Sequence, residues 1–249
     1  MTADKPPVVL ITGAAKRIGQ ACVRWFHRHS YRVAVHHRAA DGAADALVSE
    51  LNRARPGSAA AYRADLGDTR ALAGLPGRIA RELGPLSALI NNASGFYPTP
   101  VDSASEQDWQ VLMDSNLKGP FFLTQACLPW LREQRGAVVN IVDIYAEKPL
   151  AGHSVYCMAK AGLAMMTRAL AQELAPAVRV NGIAPGAILW PEQDNPGLAA
   201  ERLELARRVP LARTGEPDDI ARTAWFLIND APYITGQIIA VDGGRSVNP

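Results

Sequence analysis

Six short runs rich in Val, Ile, Leu and Ala punctuate the chain: VVLIT at 8–12, RVAVHH at 32–37, LSALINN at 86–92, GAVVNIVD at 136–143, VRVNGIAP at 178–185 and GQIIAVDGG at 236–244. Segments of helical length separate them. This alternation is the mark of βαβ units, so it predicts a doubly wound α/β fold, a parallel sheet with helices on both faces. A chain of 249 residues can be one such domain, and no repeat, low-complexity tract or linker divides residues 1–249. The longest irregular segment, WPEQDNPG at 190–197, precedes a short helical stretch, LAAERLELARR. It is a candidate active-site lid, and the substrate loop is expected at about 187–210.

Composition excludes several classes. With 48% hydrophobic and 20% charged residues the chain is neither disordered nor a membrane protein by composition, and no apolar run approaches the length of a bilayer span. The start, MTADKPPVVL, lacks a basic region followed by a long apolar segment, so no export signal is read there. Cys22, Cys127 and Cys157 are odd in number and widely spaced, which argues against a disulfide framework and for a reducing compartment; the expected location is the cytoplasm. A formal charge of +2 is too small and too dispersed for a nucleic-acid surface.

The first run opens a candidate cofactor site. VVLITGAAKRIGQACVRWFHRH reads as a strand, a glycine turn and a helix starting near Arg17. Such a turn lets backbone N–H groups and a helix N-terminus approach a pyrophosphate. Gly13 and Gly19 are present, while the middle position, usually glycine in dinucleotide turns, is Arg17; a turn without a ligand is the alternative. The second strand ends in His36, His37 and Arg38, where an NAD-binding protein places an acid for the ribose hydroxyls. Arginine instead grips a 2′-phosphate that an acid repels. With Lys16 and Arg17 nearby, the expected cofactor is NADPH/NADP, against the alternative of a solvated basic strand end. Adjacent strand residues face opposite sides and no Cys or carboxylate cluster joins His36 and His37, so no metal is expected.

Tyr156 and Lys160 lie one helical turn apart, on one face. A free tyrosine titrates near pH 10, and bringing it to neutrality takes roughly 4 kcal/mol, much of which a nearby lysine cation can supply. A surface pair has the same spacing, so the spacing alone leaves both readings open.

Taken together, TGAAKRIG, ADL at 64–66, NNAS at 91–94, SNLKGPF at 115–121, YCMAK at 156–160, RVNGIAPG at 179–186 and YITGQIIAVDGG at 233–244 resemble the short-chain dehydrogenases/reductases over nearly the whole chain. The resemblance implies a Rossmann-type fold. It implies that Ile18 belongs to the cofactor turn, that Asp65 and Leu66 border the adenine, and that Asn92, Ala93, Pro185 and Gly186 support the cofactor. Lys160 would hold the nicotinamide ribose and lower the pKa of Tyr156, and Asn116 would link Lys160 to solvent through a water. The dipeptide Gly119–Pro120 supports that last role independently, because proline frees a carbonyl nearby.

Four departures from the family pattern narrow the resemblance. Asp143 stands thirteen residues before Tyr156, where most of the family has serine; Arg17 and Ser94 replace glycines; and GFYPTP follows NNAS. All four look like the pteridine reductases, as does the ILWPE stretch that carries Trp190. By that resemblance Phe96 stacks on a pterin ring, Ser94 hydrogen-bonds it, Arg17 reaches both phosphates and substrate, and Trp190 lines the substrate. On residue type alone, Phe96 reads as core packing and Ser94 as a turn residue.

Asp143 has its own chemistry. An ionised carboxylate only accepts hydrogen bonds, and beside a ketone oxygen gaining charge it does harm. A half-buried carboxyl has a raised pKa and can hold a proton; an Asp143–Tyr156 pair sharing one suits C=N reduction, which needs hydride on carbon and a proton on nitrogen. The expected function is NADPH-dependent reduction of a dihydropterin or folate-type substrate. The alternatives are a carbonyl reductase acting on a 3-oxoacyl thioester or a sugar, and a non-catalytic dinucleotide-binding regulator. The helix VYCMAKAGLAMMTRALAQEL is apolar or small on more than one face, which points to a partner subunit. The resemblance implies a homotetramer, with Arg245 or Asn248 of the short tail as candidates to reach a neighbouring site.

Overall fold

A computed structural model of the protein describes residues 6–38, 42–188 and 204–247. Seven parallel strands form one sheet: β1 (Val8–Ile11), β2 (Arg32–His37), β3 (Ala59–Arg63), β4 (Leu86–Asn91), β5 (Ala137–Ile141), β6 (Arg179–Pro185) and β7 (Ile238–Val241), in the order β3-β2-β1-β4-β5-β6-β7. The helices that flank them include α1 (Arg17–Arg28), α2 (Ala43–Ala54), α3 (Thr69–Glu82), α4 (Glu106–Met113), α5 (Gly119–Glu133), α6 (Ser154–Leu174) and α7 (Pro217–Trp225). The strand order reverses between β1 and β4, and such a switch point opens a crevice at the carboxyl ends of the strands.

Strand alternation builds two cores. Along β1, Val8 and Leu10 face the layer of α3, α5 and α6, while Val9 and Ile11 face that of α1, α2 and α7. The predicted doubly wound arrangement is therefore present in one continuous sheet. The six apolar runs did not include β3, because its AAAYR segment is mostly alanine, which strands disfavour. It forms a strand because β2 pairs with it from Val33↔Ala59 to His37↔Arg63.

Helices α4 and α5 run on from each other through a widened π-helical turn, Asp114–Lys118. An α-helix here would need residue 120 to donate to the Asn116 carbonyl, and Pro120 has no N–H. The Gly119 N–H reaches back five residues to Asp114 instead. A buried polar chain ties this helix, the sheet and α6 together. Asn91 Nδ2 donates to Asn140 Oδ1 at 2.8 Å and to Thr124 Oγ1 at 3.2 Å, and Asn140 Nδ2 donates to Thr167 Oγ1 at 2.9 Å. These bonds are shielded from water, so they fix the distance of α6 from the sheet more firmly than apolar contact alone. Among the described residues, no helix is long and apolar enough to cross a membrane.

Candidate active site

At the switch point, the end of β4 is tied to the turn after β1. The N–H groups of Asn92 and Ala93 both donate to Thr12 Oγ1, at 2.9 and 3.0 Å, and Asn92 Nδ2 donates to the Thr12 carbonyl at 2.8 Å. Gly13 has a left-handed backbone (φ +60°), and a Cβ there would lie 2.8 Å from Ala93 Cα. A Cβ on Gly19 would run into the Gly13 carbonyl and lie 2.7 Å from Asn92 Nδ2. The close approach of α1 to the strands thus needs both glycines. Arg17 opens α1 with φ +54°, a geometry that costs a non-glycine residue about 1 kcal/mol, and Ile18 follows it in the first turn.

The three basic residues ending β2 divide by burial. His36 is buried; its Nδ1 accepts from the Gly13 N–H at 3.3 Å, and burial lowers its pKa to about 4. A neutral ring that props the turn is no phosphate ligand, so the cations at this strand end are sought among its neighbours. His37 is half-buried and Arg38 exposed, and Lys16 and Arg17 stand at the mouth of the same turn. Across from them, Asp65 Oδ1 accepts from the Gly67 N–H at 2.8 Å while Leu66 is buried. Pro185 ends β6 beside Val241 of β7, and the Gly186 N–H donates to the Val241 carbonyl. A left-handed turn with no room for side chains, a helix N-terminus and flanking cations form a cradle that fits a dinucleotide. Among the described residues, no group of three or more His, Cys, Asp or Glu is placed to hold a metal.

At the start of α6, Tyr156 and Lys160 do share one face. Lys160 is 2% exposed, its Nζ donates to the Ile141 carbonyl at 2.9 Å, and it sits 5.7 Å from the Tyr156 ring centre. The Tyr156 hydroxyl donates to Asp143 Oδ2 at 2.6 Å, and the other carboxyl oxygen accepts from the Tyr145 N–H at 2.9 Å. Burial raises the pKa of Asp143 against the opposing pull of Tyr156, Tyr145, Lys160 and Arg245. Burial first, and then the Asp143 carboxyl, pushes the Tyr156 hydroxyl far above its ordinary range. Lys160 is lowered to about 8 by burial, against the favourable charge of Asp143. Burial and Asp143 thus favour the protonated tyrosine. The pair is arranged to keep a proton, not to shed one.

Around this pair, Ser94 donates to Asn116 Oδ1 at 2.7 Å and its hydroxyl also meets Tyr156. Asn116 is fully buried in the π-turn, and its Nδ2 donates to the Leu112 and Gly95 carbonyls. Through Ser94 it therefore joins Tyr156. Phe96 is 55% exposed, which rules out core packing for its ring. It lies flat against His153 (4.8 Å between ring centres, 16° between planes) and edge-on to Tyr156 (4.8 Å, 78°). Trp190 and Asn248 lie outside the described residues, as does most of the 187–210 loop.

Two neighbours of the pair carry no signal in the sequence. His153 falls in no recognisable spacing, and Tyr145 is joined across one hundred residues to Arg245, whose Nη2 donates to the Tyr145 hydroxyl at 3.0 Å in the same chain.

Comparison with known proteins bears on this geometry. The family model described as Enoyl-(Acyl carrier protein) reductase matches residues 13–246. Pteridine reductase 1 of Leishmania tarentolae is 35% identical, over 99% of this chain and 98% of its own. A 3-oxoacyl-(acyl-carrier-protein) reductase of Staphylococcus aureus is 34% identical over 94% of this chain and 96% of its own, and one from Synechocystis is 35% identical over 98% of each. Overall identity does not separate the two activities. The family match runs from the glycine turn after β1 to the turn that carries Arg245, and with these relatives it shows that the chain belongs to the short-chain dehydrogenase/reductase family of oxidoreductases.

Proposed function

We propose that this protein is an NADPH-dependent pteridine reductase, reducing a C=N bond of a dihydropterin or folate-type substrate. The observation that carries the reading is the 2.6 Å bond from Tyr156 to Asp143, where most of the family has serine. When bound, the cofactor supplies hydride. Gly13, Arg17, Ile18, Gly19, Asn92 and Ala93 would hold its phosphates and central part, with Asp65 and Leu66 at the adenine and Pro185 and Gly186 at the nicotinamide end. His37, Arg38 and Lys16 favour a 2′-phosphate over a free ribose.

The chain's own residues then supply the proton. Burial favours the protonated forms of both Asp143 and Tyr156, so the pair meets a substrate nitrogen with a donor already in place. As nitrogen gains charge, Tyr156 gives up its proton and Asp143 passes its own to the tyrosine oxygen. Lys160 sits behind them as the cation that stabilises the anionic pair left after transfer. The exposed face of Phe96 offers a platform for a flat ring, Ser94 a hydroxyl at its edge, and Arg17 a donor toward it. Trp190 completes the substrate contacts in this reading.

The near-equal identity to 3-oxoacyl reductases favours a second reading, reduction of a 3-oxoacyl thioester. The exposed Phe96 ring beside Tyr156 weighs against it, because a ring face suits a flat heterocycle better than an extended thioester. NADPH oxidation measured with 7,8-dihydrobiopterin, dihydrofolate and an acetoacetyl thioester decides between them. Turnover of the pterins and not the thioester is expected; the reverse order overturns the proposal, and binding of NADPH without any turnover points to a regulator instead. The same reading includes a homotetramer. Exposed Phe121 and Phe122 on α5 and Met158 and Met165 on α6 favour assembly, and a sedimentation mass of one chain counts against it.

A further inference from the structure

The turn that carries the last described residues is built around one carboxylate. Asp242 accepts the N–H of Gly244 at 2.9 Å through Oδ1 and that of Ser246 through Oδ2, which closes a 3₁₀ turn over Arg245–Val247. This fixes the direction in which Arg245 leaves the backbone. Its guanidinium lies 5.6 Å from the centre of the Tyr145 ring and donates to the Tyr145 hydroxyl at 3.0 Å. Tyr145 in turn gives its backbone N–H to Asp143 Oδ1, leaving Oδ2 for Tyr156. Two parts of the chain far apart in sequence therefore meet in an unbroken line: Asp242 turn, Arg245, Tyr145, Asp143, Tyr156.

We propose that Arg245 is a positioning residue for the Asp143–Tyr156 pair: through Tyr145 it orients the carboxyl, and it sets a fixed cation beside it. The inference rests on reading that pair as the proton source. An arginine suits the task because it stays charged throughout the working range and its planar fork is held by both the ring and the hydroxyl of one partner. Among the described residues, the groups that act on the carboxyl are Tyr156 and Lys160 from α6, Tyr145 from the turn just after Asp143, and Arg245. Cys157 lies close enough to influence Tyr156, and Asp242 is the acidic group of the same C-terminal turn. Lys160 loses its charge near pH 8, so above that range Arg245 is the remaining permanent cation acting on Asp143.

The test is a pH titration of the full chain followed by infrared spectroscopy. The carbonyl band of a protonated carboxyl is assigned to Asp143 by its loss in Asp143→Asn. In Arg245→Gln the midpoint of that band is expected to move upward by roughly half a pH unit or more, because an opposite charge that favoured ionisation is gone. Arg245→Lys is expected to bring it back toward the wild-type value. Tyr145→Phe keeps the ring but removes the hydroxyl that anchors the guanidinium, and is expected to shift the midpoint the same way by less. A midpoint that stays in place in Arg245→Gln overturns the inference while leaving the proton pair intact. A band absent at every pH overturns the pair itself. Neither readout needs turnover, so the role of Arg245 is decided even in a chain that reduces no pterin.

Discussion

Replacing Lys160 by methionine is expected to make the protein more stable and inactive. The ammonium group is 2% exposed, and burial brings its pKa from 10.5 to about 8 even with Asp143 nearby. Ionised Lys160 therefore destabilises the folded state by about 3 kcal/mol at pH 7, since each pH unit of displacement corresponds to about 1.4 kcal/mol. Methionine fills a similar volume without a charge. It forfeits the bond to the Ile141 carbonyl, a loss of about 1 kcal/mol, so the net gain is about 2 kcal/mol, or about 4–8 °C in Tm for a chain of this size. The sign with pH follows from proton counting. Between about 8 and 10.5 the unfolded lysine binds a proton that the folded one does not, so wild-type stability rises with pH there. The advantage of Lys160→Met accordingly shrinks by about half or more on going from pH 7 to about pH 9.5, still below the range where exposed tyrosines titrate. Urea unfolding of both proteins at the two pH values measures this directly. A variant less stable than wild type at pH 7, or one whose advantage is the same at both pH values, would refute the argument that the buried charge is retained at a cost in stability.

Three further outcomes are expected. Asn140→Val removes the acceptor of Asn91 Nδ2 and the donor to Thr167 inside the core, and should lower stability by about 1–3 kcal/mol in urea unfolding. Arg17→Gly relieves the left-handed backbone and should raise stability by up to about 1 kcal/mol, while the KM values for NADPH and NADH both rise through loss of a contact to the phosphates they share. Phe96→Ala, at a half-exposed position, should leave Tm nearly unchanged and raise the pterin KM by roughly tenfold through loss of the stacking face, about 1.4 kcal/mol; an unchanged KM places the ring outside the substrate site.

The sheet was legible because each central strand is buried on both faces and so reads as a short apolar run, as VVLI and AVVNI do. Where a strand is made of alanine, as β3 is, only its pairing with β2 reveals it. Tyr156, Lys160 and Asp143 were legible for a local reason: all belong to one strand–turn–helix unit, where spacing fixes proximity. Arg245 and Tyr145 are brought together by the docking of β7 onto β6, and no spacing encodes a contact of that range. Burial was the other blind spot. His36 and His37 look alike in sequence, yet the pleat sends one ring into the core, where it is neutral, and leaves the other half in water. The weight of burial on the Tyr156 hydroxyl was out of reach for the same reason, since a lysine four residues away is visible in a sequence and the depth at which both are buried is not.

The hundred residues between Tyr145 and Arg245 also set a schedule for a growing chain. At about 5–20 residues per second, synthesis reaches Arg245 roughly 5–20 s after Tyr145. During that interval the Rossmann half can form its turn, and α6 can already bring Tyr156 against Asp143, but β7 and the Asp242 turn do not yet exist. The pair can thus come together before its outer cation, which is available only once the last strand has been made. By the role proposed for Arg245, the surroundings of the pair are therefore completed last, at the sheet edge.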